Sequence, residues 1–135
     1  MYLLDTSILS ELIKRRPNEA LIRQLREKPA ETLFTTVICV MELRYGVSLR
    51  PDHQSFWQRI EQEILGRVQV LGFNRSEALI AGDLLAQLKR AGKPIGLEDV
   101  LIGAVARTHG YTVVTHNVRH FRSLPEVSVE DWFSP

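Results

Sequence analysis

The chain has a single cysteine, Cys39, so neither an internal disulfide nor a four-cysteine zinc site can form. Its longest apolar run, Val100 to Ala106, is far too short to span a bilayer. The first residues have no basic start, apolar core or small-residue cleavage site, so no export signal is expected and a cytoplasmic domain is. No Gly-x-Gly-x-x-Gly follows any apolar run, which excludes dinucleotide binding of the usual kind. A dominant charge is also missing. Seventeen Lys and Arg against sixteen Asp and Glu leave +1, which names no partner. What remains is ordinary globular composition, 44% apolar and 24% charged, without repeats, low-complexity stretches or a linker. Residues 1–135 therefore read as a single domain long enough to bury a core.

Short apolar runs alternate with helical periodicity, the pattern of an α/β protein with a mainly parallel sheet. Tyr2-Leu3-Leu4 predicts a first strand ending at Asp5. A helix carrying Ile8, Leu9, Leu12 and Ile13 follows, closed by Lys14, Arg15 and Arg16 and stopped by Pro17. Asn18 caps a second helix bearing Leu21, Ile22 and Leu25, which Pro29 ends. Leu33-Phe34-Thr35 is the second strand, and Thr36 caps a helix from Val37 through Glu42 to about Ser48. Asp52 opens a helix with the stripe Phe56, Ile60 and Ile64. Trp57 lies beside that stripe and is expected to be the exposed ring. Val68 to Leu71 reads as the third strand. Asn74 with Glu77 resembles a capping box before a helix ending at Gly92. Gly96 to His109 is another helix, with Gly110 at its end. Thr112 to Thr115 is a β-branched strand, and Val127 and Val129 suggest a short edge strand.

In open parallel sheets ligands collect at the carboxyl ends of the strands. Asp5 ends the first strand, and Thr115-His116-Asn117 ends the fourth. Asp99 lies in the first turn of the helix feeding the fourth strand, and Glu42 about two turns into the helix after the second. Each has a plain structural explanation. Asp5 can cap a helix, and Asp99 suits the positive end of one. Glu42, after the apolar run Val37 to Met41, would need a partner or a metal if that run were a buried face. Thr6 and Ser7 can orient water or cap the first helix, and capping is favoured for Ser7.

Carboxylates converging on one cleft repel each other unless a cation holds them. Oxygen ligands without paired His or Cys favour Mg²⁺ or Mn²⁺ over zinc, and such ions serve phosphodiester hydrolysis. Between Val100 and Pro125 there is no Asp or Glu, while Arg107, Arg119 and Arg122 supply positive charge and His109, His116 and His120 also fall there. A positive lip beside an acidic site would hold a polyanion. Arg119 and His116 are its best placed members, whereas Arg107 and His109 also suit a helix C-terminus. A phosphatase-like aspartyl nucleophile would want a second Asp where Ser7 stands. A receiver-like site would want an Asp after the third strand, which Leu71-Gly72 does not offer.

The order Asp5-Thr6-Ser7, Glu42-Leu43-Arg44-Tyr45-Gly46, Pro94-Ile95-Gly96 with Asp99, and Thr115-His116-Asn117 with Phe121 resembles a PIN domain. More specifically, it resembles the VapC/FitB-like toxins of bacterial toxin–antitoxin pairs. The resemblance runs to the closing Glu130-Asp131-Trp132. It implies a three-layer α/β/α sandwich and a Mg²⁺- or Mn²⁺-dependent endoribonuclease acting on tRNA or rRNA. It also implies a homodimer inhibited by a cognate VapB-like antitoxin, with promoter DNA bound only through the antitoxin complex. In such pairs an antitoxin Arg often occupies the metal site.

By the same resemblance Asp5, Glu42, Asp99 and Asn117 are the catalytic set. Asp5 and Asp99 hold metal, and Thr6 and Thr115 support them. Asn117 stands where many PIN domains carry a fourth acid. An amide there brings no charge, which weakens any second ion site. Glu98 reads as a first-turn helix charge and not as a ligand. Ile8, Leu12, Leu21, Ile22 and Leu25, with the Phe56/Trp57 region, are candidate antitoxin contacts or core. The alternative is a catalytically weak PIN-like module acting with its antitoxin as a DNA-binding regulatory complex.

Overall fold

The computed structural model describes residues 1–134. Along the chain run β1 (Tyr2–Leu4), α1 (Thr6–Leu12), α2 (Glu19–Glu27), β2 (Leu33–Thr36), α3 (Val37–Ser48) and α4 (His53–Glu63). They are followed by β3 (Gln69–Leu71), α5 (Arg75–Ala91), α6 (Leu97–His109), β4 (Thr112–Val114), α7 (Val118–Arg122) and β5 (Val129–Glu130). The strands form one sheet in the order β3-β2-β1-β4-β5, and every neighbouring pair is parallel. The sheet expected to be mainly parallel is wholly so.

Parallel strands buried on both faces need apolar residues at successive positions. β1 meets that need with Leu3 and Leu4, and β4 with Val113 and Val114, all fully or almost fully buried. Burying one such side chain contributes roughly 1.5–3 kcal/mol. On one side of the sheet order α1 packs on α3 and α3 on α4. On the other, α5 packs on α6 and α6 on α7, giving the three layers. Gly103 on α6 lies close against Leu124, whose side chain a Cβ there would crowd. No helix among the described residues is long and apolar enough to cross a membrane.

The caps fall where side-chain chemistry places them. Asn18 accepts from the Leu21 N–H at 3.0 Å. Thr36 accepts from the N–H groups of Ile38 and Cys39 at 3.1 and 3.2 Å. Glu77 reaches back to the Asn74 N–H at 3.2 Å. Gly92 and Gly110 end α5 and α6 with φ of 66° and 72°, left-handed values that cost an L side chain energy.

Several expectations need correction. α1 ends at Leu12 and not in the basic run, because Ile13 already forms its cap. β3 begins at Gln69, one residue later than expected, since Val68 closes the preceding 3₁₀ turn. β4 ends at Val114, and Thr115 turns its side chain to the site. α7 was not foreseen; it is barely one turn long, too short for periodicity to show. Of the run Val37 to Met41, only Cys39 is buried, because five consecutive residues circle a helix. Trp57 is half-buried, with its Nε1–H donated to Glu61 at 2.9 Å and the Arg44 guanidinium 4.9 Å from its ring centroid. Ile8 and Leu21 are fully buried core residues, which removes them from any docking surface.

Candidate active site

The chain's path through the sheet creates the site. From β1 it moves outward to β2 and β3, then returns to lay β4 against the opposite side of β1. At such a switch point the loops leaving β1 and β4 diverge and open a crevice at their carboxyl ends. Asp5 leaves β1 there and Thr115 leaves β4.

Asp5 is buried, 2% exposed, and performs two tasks at once. Its Oδ1 accepts the Ile8 N–H at 3.2 Å and so caps α1, as expected. The same oxygen accepts the Ser7 hydroxyl at 2.6 Å, and Oδ2 accepts the Thr115 hydroxyl. Both hydroxyls are aimed from behind. The His116 N–H donates to Ser7 Oγ at 3.0 Å, and the Asn117 N–H donates to Thr115 Oγ1 at 2.8 Å. Each hydroxyl thus has its proton directed at the carboxylate. Ser7, expected chiefly to cap α1, instead joins the two strand ends around Asp5.

Glu42 on α3 is half-buried and accepts the Thr6 hydroxyl at 2.6 Å, which gives Thr6 a positioning task. Asp99, in the first turn of α6, has its Oδ2 2.8 Å from His120 Nδ1 on α7. The sequence placed His120 only within the acid-free stretch; its contact with Asp99 is made through α7. Asn117 is exposed at the cap of that helix, and Arg119 is exposed two residues on. His116 is exposed too, its ring against Phe133. Arg107, by contrast, is paired with Glu126 at 2.6 Å, so the acid-free stretch loses part of its positive lip to an acid from outside it.

The electrostatics are those of an unneutralised acidic cluster. Burial pushes the Asp5 carboxyl above its ordinary range. Its hydroxyl and N–H donors pull against this, and Asp99 adds to the rise. Burial likewise raises Glu42, opposed by the Thr6 hydroxyl and reinforced by Glu98 and Asp99. Glu98 is therefore an exposed charge beside the cluster. Among the described residues no Lys or Arg pairs with Asp5, Glu42 or Asp99. Cys39 sits nearby, buried, with its thiol pushed up by burial and therefore inert.

The donors fit a hard cation. They are carboxylate oxygens, Asp99 raises the proton affinity of Asp5 and Glu42, and no resident Lys or Arg offsets them. Among the described residues no three acidic, histidine or cysteine side chains close around one point. That openness suits an ion that keeps several waters and takes one or two carboxylates from a protein.

A family model described as PIN domain matches residues 2–127. The chain is 34% identical over 137 residues to the VapC ribonuclease Y4jK of Sinorhizobium fredii, covering 98% of each. It is 32% identical over 133 residues to the tRNA(fMet)-specific endonuclease VapC of Salmonella typhimurium, covering 97% of each. Among solved structures, DNA-bound VapBC from Salmonella typhimurium superposes with a TM-score of 0.89 at 30% identity, over 97% of each chain.

Proposed function

The chain belongs to the PIN-domain family, among the VapC and FitB toxins, and from that premise we propose a metal-dependent ribonuclease toxin held in check by a cognate antitoxin. Its RNA would be a tRNA or rRNA segment. The observation that supports the chemistry is that Asp5 and Thr115, tied by a hydrogen bond, leave adjacent parallel strands at the switch point. Asp99, from a distant part of the chain, lies near enough to raise the carboxyls of both Asp5 and Glu42.

Asp5 and Asp99 would hold Mg²⁺ or Mn²⁺, with Glu42 close by. When bound, the ion supplies positive charge to a phosphodiester oxygen and makes water a better nucleophile at neutral pH. The protein does the rest by position. Ser7 and Thr115 fix the plane of the Asp5 carboxylate and present its remaining lone pairs to the crevice. Thr6 holds Glu42 in the same way, leaving one oxygen to orient water. His120 restrains Asp99. Asn117 adds an amide without charge, and Arg119 and His116 face the incoming RNA. With water as nucleophile the products carry a 5′-phosphate and a 3′-hydroxyl. The 2′-hydroxyl is not needed for the chemistry, so selectivity for RNA rests on shape and base contacts.

Two surfaces support the expected partners. A groove of about 960 Å³ between the end of α1 and α4 is lined by Leu12, Ile13 and Phe56 and edged by Arg15 and by Lys14, Arg50 and Arg59, which are paired with Glu11, Asp52 and Glu63. It would offer an antitoxin segment apolar contact with a rim of mixed charge, and promoter DNA would be bound only through that complex. Along α3 and its C-cap, Val37, Met41, Tyr45 and Leu49 recur every fourth residue and are 42–71% exposed. Such an apolar stripe is costly to leave in water and suits a second copy of the chain.

The test is cleavage of total RNA by partner-free protein with Mg²⁺, with Mn²⁺ and with EDTA. Ion-dependent cleavage that leaves 5′-phosphates supports the reading. No cleavage of any RNA with either ion favours the regulatory module instead.

A further inference from the structure

The segment after β5 is the part of this rim to which the ribonuclease reading gives no task. It is firmly placed. Trp132 is buried, its ring set edge-on to Tyr2 at 5.0 Å and 63°, and Lys28 covers both rings. The next residue, Phe133, lays its ring against the His116 imidazole, with centroids 4.1 Å apart and planes inclined by 32°. Asp131 ties the two together. Its Oδ1 accepts the Phe133 N–H at 2.8 Å, and its Oδ2 lies 4.0 Å from His116 Nδ1. The pair is also tied to the chemistry. The His116 N–H donates to Ser7 Oγ, and Ser7 donates to Asp5.

Despite its stacked neighbour, the His116 side chain is 59% exposed. A largely exposed imidazole, braced on one face by a phenyl ring and linked through its own backbone N–H and Ser7 to Asp5, is a surface for a flat ligand. It is poorly suited to anchoring a phosphate, because Asp131 stands beside it and repels anions. Unpaired RNA bases, in contrast, stack on aromatic and histidine faces, and every base has such a face to offer.

We propose that His116 and Phe133 form a stacking platform for one unpaired nucleobase beside the scissile phosphate. The proposal rests on the ribonuclease reading and deepens it: the substrate is cut in a single-stranded segment, with a base turned onto this platform. Arg119 remains the phosphate contact.

The test uses a short single-stranded RNA carrying the cleavage position mapped for the wild-type protein, with 2-aminopurine adjoining it. In EDTA, where no cleavage occurs, binding to wild-type protein quenches the fluorescence. His116→Ala and Phe133→Ala abolish the quenching, and His116→Phe restores it. With Mn²⁺, His116→Ala raises KM by on the order of tenfold and leaves kcat within about twofold. An abasic nucleotide at that position removes the difference between wild type and variant. Equal quenching by wild type and His116→Ala, or a loss confined to kcat, overturns the platform and leaves the ribonuclease intact. Absence of Mn²⁺-dependent cleavage by the wild type overturns the ribonuclease reading itself.

Discussion

Asp5 and Glu77 are both buried carboxylates, yet their surroundings push them in opposite directions. At the rim, Asp5 receives hydroxyls and one N–H, but burial and Asp99 outweigh them and its carboxyl rises. At the start of α5, Glu77 accepts the Ser76 hydroxyl at 2.7 Å and the Asn74 N–H, and His109 lies 3.9 Å away. Ser76 and the backbone donors hold its carboxyl below the ordinary range, with His109 contributing. Glu77 is charged and content at the positive end of a helix, which is a structural carboxylate. Burial makes charge on Asp5 costly, a cost that a bound cation would repay, which is the pattern expected of a functional carboxylate.

The sharpest way to break this contrast is Asp5→Asn. Cleavage should fall on the order of a thousandfold or more, measured on the mapped RNA with saturating Mn²⁺. Stability should move the other way. Because the folded protein raises the Asp5 carboxyl, folding favours its neutral form, and stability declines as pH rises from the ordinary carboxylate range through the raised folded value. Asparagine removes that penalty. Its amide also sets a donor against the Thr115 hydroxyl, so the signature is the trend: in EDTA the unfolding temperature of the variant should rise relative to wild type as pH increases through the carboxylate range.

Thr115→Val probes the hydroxyls that aim Asp5. Loss of one donor raises the carboxyl further and frees its plane, so activity should fall about 10–100-fold, as removing a partner behind a metal ligand does. Thr6→Val should act similarly through Glu42, but more weakly, because Glu42 is only half-buried. Unchanged kcat/KM in both variants would mean that the hydroxyls serve only the fold.

Glu77→Gln is the mildest change and the control for the comparison. It should leave cleavage untouched and cost about 0.3–1 kcal/mol of stability at pH 7. Since folding depresses this carboxyl, its contribution is present above the ordinary carboxylate range and is lost as pH falls through the folded value. Wild type and variant should then converge in acid melts.

Much of this was legible in the sequence because it is local. Asp5 follows an apolar run, Thr115 ends a β-branched one, and Asn18, Thr36 and Glu77 sit at recognisable caps. Three long-range facts were not. The task of Ser7 depends on the His116 N–H arriving from β4, and no spacing within Asp5-Thr6-Ser7 reveals it. His120 meets Asp99 only because α7, a single turn, folds back over α6. Phe133 meets His116 because β5 lies parallel to β4, which brings two strand exits to one level. Charge misled for the same reason: Glu126 folds onto Arg107 from just beyond the acid-free stretch.

The central claim is that Asp5 is the carboxylate a cation comes to. Its most direct test is a Mn²⁺ titration followed by thermal unfolding of wild-type protein and Asp5→Asn, without RNA. The account predicts that Mn²⁺ raises the wild-type unfolding temperature in a saturable manner and leaves that of the variant flat. Equal stabilisation of the two proteins by Mn²⁺ would contradict it.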